Sequence, residues 1–74
     1  MMEVIHMQLS TRNQLKGKIK AIKKGPVSTE VTVDVSGQTI VVASITTGSA
    51  DTMDLKVGDD VAALVKASSV MIMK

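Results

Sequence analysis

An all-β fold is what this sequence predicts: a small antiparallel barrel of five strands carrying one short helical turn. Three observations carry that reading. Val27, Thr29, Val31, Val33 and Val35 alternate with Ser28, Glu30, Thr32 and Asp34, the period-two pattern of a half-buried strand. Valine dominates the apolar residues and there is no Phe, Tyr or Trp, a composition that favours strands over helices. Turn signals at Gly25-Pro26, Ser36-Gly37 and Gly58 cut the chain into short segments of strand length.

Taken in order, Met1–Met7 shows no clear period and reads as a leader or a strand extension, with residues 8–74 forming one module. The first strand places Leu15, Gly17, Ile19 and Ala21 on one face and Lys16, Lys18 and Lys20 on the other. After the Gly25-Pro26 turn comes the valine strand, and Ser36-Gly37 turns it into a third strand, Thr39-Ile40-Val41-Val42-Ala43-Ser44-Ile45. That third strand is apolar on both faces, so a central or interface position is expected. Ser49 offers an N-cap with an acidic first turn at Ala50-Asp51-Thr52, and Met53 and Leu55 are expected to plug one end of the barrel from a short helix. Leu55 to Asp60 turns into a fourth strand at Val61–Val65, and Ser69–Met73 supplies a fifth. Three strands, a helical turn and two more strands suit a small OB-like barrel, in which closure protects the sheet edges.

Composition narrows the function. A chain of 74 residues makes one small domain, and a domain of that size buries only roughly 60% of the surface its unfolded chain exposes, so oligomerisation is an attractive source of further core. With no Cys, neither a disulfide framework nor a thiolate metal site is available, and the single His6 has no partner of its own type. No apolar run approaches the ~20 residues that span a bilayer, and the N-terminal stretch is too short and polar for a secretory signal. A cytoplasmic location with no membrane contact is the expectation. The formal net charge of +2 favours anions in general without naming nucleic acid. No nucleophile–base pair, cofactor loop or metal cluster stands out, so an enzyme is not expected.

Two segments carry the chemistry. Ser10-Thr11-Arg12-Asn13-Gln14-Leu15-Lys16-Gly17-Lys18-Ile19 near the start and Val65-Lys66-Ala67-Ser68-Ser69-Val70-Met71-Ile72 near the end are rich in hydroxyls, cations and small residues. In that order and separation they resemble the paired signature of the molbindin (Mop) family of molybdate- and tungstate-binding proteins. Thr11 departs from the family's usual Ala, adding a hydroxyl and a β-branch. The resemblance implies an oxyanion bound at subunit interfaces of a homo-oligomer, a hexamer built as a trimer of dimers.

Molybdate and tungstate are tetrahedral dianions whose oxygens accept hydrogen bonds and donate none at neutral pH. Their site needs convergent donors, and charge-assisted hydrogen bonds and concave nests of backbone N–H groups provide them. Carried over from the family, Ser10 gives hydroxyl and backbone contacts, Arg12 chiefly its backbone N–H, and Lys66 the charge. Ala67 and Ser68 give backbone N–H groups, Ser68 with its hydroxyl in addition, Thr11 is a candidate further donor, and Ser44 is a weaker candidate from a neighbouring chain.

Each residue alone has a plainer reading. Arg12 is then a solvated charge or a structural partner to a carboxylate, Lys66 an edge-guarding strand end, and Ser44 a strand-face filler. The lysine stripe Lys16, Lys18, Lys20, Lys23 and Lys24 reads as a solvated face, Met71 and Met73 as packing or interface residues, and Asp59-Asp60 as a turn. The alternative function is a free-standing OB-type nucleic-acid-binding module, which would lack the aromatic platforms on which such modules stack bases. A third is an oligomerisation module with no ligand.

Overall fold

The structure, a computed structural model, describes residues 11–74, with side chains from Asn13 onward. The leader or strand extension expected at residues 1–7 lies outside the described residues. Four strands form one antiparallel sheet: β1 (Thr11–Lys24), β2 (Ser28–Asp34), β3 (Ile40–Thr46) and β4 (Asp60–Lys66), in the order β3-β2-β1-β4. One helix, α1 (Thr47–Met53), connects β3 towards β4, and a 3₁₀ turn at Ala67–Ser69 follows β4. The sheet curls into an open half-barrel.

The curl is built into β1, which at 14 residues is twice the length of its neighbours. Its first half pairs with β4, from Thr11↔Lys66 to Lys18↔Asp60, and its second half with β2, from Lys18↔Asp34 to Lys24↔Thr29. Both register shifts of β1 are places where it holds one residue more than its partner, Arg12 opposite β4 and Lys20 opposite β2. An extra residue bends a strand and sharpens its twist. The bulge at Lys20 also reverses the alternation. Ile19 is buried, Ala21 faces solvent and Ile22 takes the inner position, so the expected inner place of Ala21 is corrected.

At the change of partner the backbones crowd. A Cβ on Gly17 would press on the carbonyl oxygen of Asp34 and come within 2.9 Å of Val35 Cα. Just beyond, Ile19 N–H donates to the Asp59 carbonyl at 3.0 Å and Gly58 N–H donates to the Ile19 carbonyl at 2.8 Å, clamping the turn before β4 onto β1. Gly58 adopts φ 96°, the left-handed region that suits glycine.

Ile19, Val31 and Val33 form the core, with Ile22, Val35, Ile45, Leu55 and Val61 packed against it. The valine strand alternates as predicted from Thr29 to Val33, whereas Val27 precedes β2 and is 78% exposed. The strand's polar member, Thr29, is 1% exposed and is satisfied by the Thr47 hydroxyl at 2.8 Å, while Thr47 donates to the Gly25 carbonyl at 2.6 Å. This knot fastens the start of α1 to the β1–β2 hairpin.

β3, expected at a central or interface position, lies at an edge of the sheet: Val41, Ala43 and Ile45 face the core while Ile40 and Val42 are exposed. Two further expectations are corrected. The helix starts earlier than Ser49. Thr46 is its N-cap, accepting from Ser49 N–H at 3.0 Å, so no acidic residue lies in its first turn, and Ala50 with Leu55 packs inward while Met53 is largely exposed. Ser69–Met73 is no strand in this chain: after the 3₁₀ turn, Met71, Ile72 and Met73 are 91%, 90% and 95% exposed. Four strands are therefore present among the described residues, where five were expected.

The crowding at Gly17 makes a prediction. Gly17→Ala forces backbone apart and should destabilise the fold by about 1–3 kcal/mol, an overpacking cost. Gly48→Ala, in a helix position with open space around it, should instead stabilise by up to about 1 kcal/mol. Urea denaturation of the two variants checks the opposite signs.

Candidate functional site

The register of β1 and β4 brings the two sequence segments together at one end of the sheet. Thr11 lies opposite Lys66, and the 3₁₀ turn Ala67–Ser69 lies against β1. Arg12 is the extra residue of the bulge, so its peptide stands out of the regular pairing at the place where β4 ends. Lys66, Ala67 and Ser68 are exposed. No side chain caps the 3₁₀ turn, and the first N–H groups of a helical turn have no partner within it, so the leading amides of Ala67 and Ser68 are the donors this turn presents. The arrangement can hold an anion by backbone N–H, hydroxyl and ammonium groups together.

Ser10 lies outside the described residues, and Thr11 and Arg12 are placed by their backbone alone. Ser44 is not brought to this end. It sits exposed on β3, the opposite edge strand, paired with Glu30 and sharing a surface hollow with Lys23, Lys24 and Ser28. Within one chain Ser44 and Lys66 are separate.

Sequence reasoning passed over two features. The side chain of Asn13, on the inner face of β1, donates from Nδ2 to the Val65 carbonyl at 3.1 Å, beside the bulge. The Arg12-Asn13 step is legible in the sequence, but the bulge that turns Asn13 towards β4 is not. The second is a hollow at the start of α1 lined by Thr46, Gly48, Ser49 and Thr52. Thr46 Oγ1 accepts from Ser49 N–H and donates to Ser49 Oγ at 2.8 Å, which leaves the Ser49 hydroxyl proton to point outward as a donor. The signal for it in the sequence is the Thr46-x-x-Ser49 spacing, in which Thr46 and not Ser49 is the N-cap.

The lysine stripe is partly neutralised. Lys18 pairs with Asp60 at 2.7 Å and Lys24 with Asp51 at 2.6 Å, both pairs exposed. Such pairs contribute little stability, but they break up the positive field that a phosphate backbone would follow. Among the described residues no cluster of three His, Cys, Asp or Glu side chains is placed to hold a metal ion, and no helix is long and apolar enough to cross a membrane.

Fold and site together define a small half-barrel module with donors gathered where its longest strand meets β4. A family model described as the TOBE domain matches residues 9–72. Molybdenum-pterin-binding protein 3 of Clostridium pasteurianum is 40% identical over 67 residues, covering 90% of this chain and 98% of that protein. The molybdenum transport protein ModE of Herbaspirillum seropedicae is 44% identical over 66 residues, and this chain spans 24% of its length. Among solved structures, a molybdate binding protein from Sporomusa ovata superposes with a TM-score of 0.85 at 41% identity, covering 92% of this chain and 100% of that one. The cytoplasmic molybdate-binding protein ModG, solved with molybdate bound, superposes with a TM-score of 0.81 at 38% identity, covering 86% of this chain and 45% of that one. The chain belongs to the molbindin (Mop) family of molybdate- and tungstate-binding proteins, built on the TOBE domain.

The capping arrangement at α1 is open to a direct check. Thr46→Ala removes the oxygen that accepts Ser49 N–H and should cost about 1 kcal/mol of stability, while Thr46→Ser keeps the oxygen and most of that contribution. Thermal denaturation of both variants measures it.

Proposed function

We propose that this chain is a cytoplasmic, non-catalytic binding protein that stores or buffers molybdate or tungstate as the free oxyanion. The observation that carries the reading is the register Thr11↔Lys66, which sets the ends of the two family segments side by side with the uncapped turn Ala67–Ser69 next to them. A dianion there is met by the Lys66 ammonium, the amides of Arg12, Ala67 and Ser68, and the hydroxyls of Ser10, Thr11 and Ser68. Residues 8–74 act as the single binding module. Some relatives are described as molybdenum-pterin-binding. The absence of any Phe, Tyr or Trp favours the bare oxyanion, because a planar pterin offers its face to aromatic stacking. The same absence weighs against the nucleic-acid alternative.

The site is completed between subunits of a homo-oligomer, a hexamer assembled as a trimer of dimers. The support is physical. Among the described residues only Ile19, Val31, Val33 and Ala50 are buried hydrophobics, β3 and β4 lie at the edges of the sheet, and the apolar tail beyond Val70 is exposed. Unpaired edges and exposed apolar runs are surfaces that association covers. In this reading the five-stranded OB-like barrel is closed in the assembly, with Val70–Met73 supplying strand pairing to a neighbouring subunit. A neighbouring chain also contributes hydroxyl donors, from Ser44 or from the Thr46–Ser49 hollow.

Calorimetric titration with molybdate, tungstate, sulfate and a short oligonucleotide tests the function. Molybdate and tungstate should bind well ahead of sulfate, and the oligonucleotide should give no heat; preferential oligonucleotide binding would overturn the proposal. Lys66→Ala should remove a charge-assisted hydrogen bond of roughly 1.5–3 kcal/mol, about ten- to a hundredfold in affinity. Lys66→Met should lose as much, since it keeps the stem and removes the charge. Arg12→Ala, which keeps the backbone N–H, should lose less than either, and Lys18→Ala should change binding little.

Assembly has its own check. Light scattering at micromolar concentration should report a hexamer, and a monomer with and without oxyanion would contradict the interface site.

A further inference from the structure

We infer that Asn13 is a positioning residue for the oxyanion site: its side-chain amide ties the bulge at Arg12 to the strand end that carries Lys66, and so holds the donors of both segments in one geometry. The inference rests on the reading of the site proposed above. Asn13 is the one polar side chain in the inner row Asn13, Leu15, Gly17 and Ile19 of β1, and it is half-buried. A polar group turned inward is costly unless it is hydrogen-bonded. It is bonded here to the Val65 carbonyl at 3.1 Å, across the two ends of the chain.

The choice of acceptor gives the bond its consequence. A peptide group is planar, so the Val65 carbonyl shares a rigid plane with the nitrogen of Lys66. Holding that oxygen orients the peptide from which Lys66 and the turn Ala67–Ser69 depart. On the donor side, the nitrogen of Asn13 shares a peptide plane with the carbonyl of Arg12, the residue left over by the bulge. A bulge leaves its extra residue unpaired and the ladder locally disrupted, so a side-chain bond beside it adds a brace that the ladder lacks there. The Asn13 amide supplies the brace at that step. Discrimination between oxyanions of like charge and shape depends on a rigid set of donors, so loosening the brace acts on selectivity as well as affinity.

The test uses the assembled protein, titrated with sodium molybdate and sodium sulfate well below the melting temperature of each variant, with oligomeric state checked by light scattering. Asn13→Ala should weaken molybdate binding about five- to tenfold, the effect of one neutral hydrogen bond acting on the site. It should also narrow the preference for molybdate over sulfate. Asn13→Asp, isosteric but unable to donate when ionised, should lose at least as much. A lower melting temperature with molybdate affinity and selectivity within about twofold of the unmodified protein would mean a purely structural role and overturn the inference.

If neither variant assembles, hydrogen exchange in the unmodified protein decides. The Asn13 side-chain amide and the backbone amides of Lys66–Ser69 should slow together when molybdate is added, and unchanged exchange at Asn13 would overturn the inference. Failure of the site reading is separable. It would appear as an unmodified protein that ignores molybdate, or as Lys66→Ala binding normally. Failure of this inference alone would appear as a loss at Lys66 with none at Asn13.

Discussion

The close approach at Gly17 is the constraint on which the rest of the structure depends. One strand serves two partners, and the hand-over from β4 to β2 takes place within the span from Gly17 to Ile19, where Lys18 is opposite both Asp60 and Asp34. That is possible only if the end of β2 can cross β1 at backbone contact, and the missing Cβ of Gly17 is what admits it. The clamp of Gly58 and Asp59 on Ile19 then fixes where β4 begins. The pairing of Val65 with Asn13 follows from that start by register, and the extra residue Arg12 then sets Lys66 opposite Thr11. Structural crowding in the middle of the sheet thus bears on the geometry of the proposed site at its end.

The two bulges of β1 divide the work. The one at Lys20 bends the strand and moves Ile22 inward, giving the core a second isoleucine beside Ile19. The one at Arg12 takes a peptide out of the ladder where donors are needed, with Asn13 spanning the gap to Val65. An anion site that draws on backbone N–H groups, as the proposed one does, requires such departures from regular pairing, because in an unbroken ladder those groups are already spent on neighbouring strands. Binding residues of this kind act through the shape of the chain as much as through side-chain identity.

The small core explains why a module of this kind depends on its neighbours. Without aromatic residues each buried side chain removes modest apolar area, and a chain of this length has few of them to bury. Val31 and Val33 of the valine strand are buried, whereas Val27, the outer face of β3 and the tail after the 3₁₀ turn are not covered within one chain. Their apolar character has no role in the isolated half-barrel, which is why association and the placing of an interfacial ligand belong to the same proposal.

By itself the sequence determined the all-β class, the valine strand with its buried face, the hairpin turns at Gly25-Pro26 and Ser36-Gly37, and the two segments Ser10–Ile19 and Val65–Ile72 that point to the family. These are legible because period-two alternation, turn residues and short motifs are local properties of the chain. The tertiary structure alone decided that β3 lies at an edge, that Ala21 faces out, and that Ser69–Met73 forms no strand within one chain. It also set Thr11 against Lys66, left Ser44 on the far edge, and turned Asn13 onto Val65. The facing of Ala21, the pairing of Thr11 with Lys66 and the contact of Asn13 with Val65 depend on register or on a bulge, and a single inserted residue reverses which face a side chain takes without leaving a mark in the local pattern.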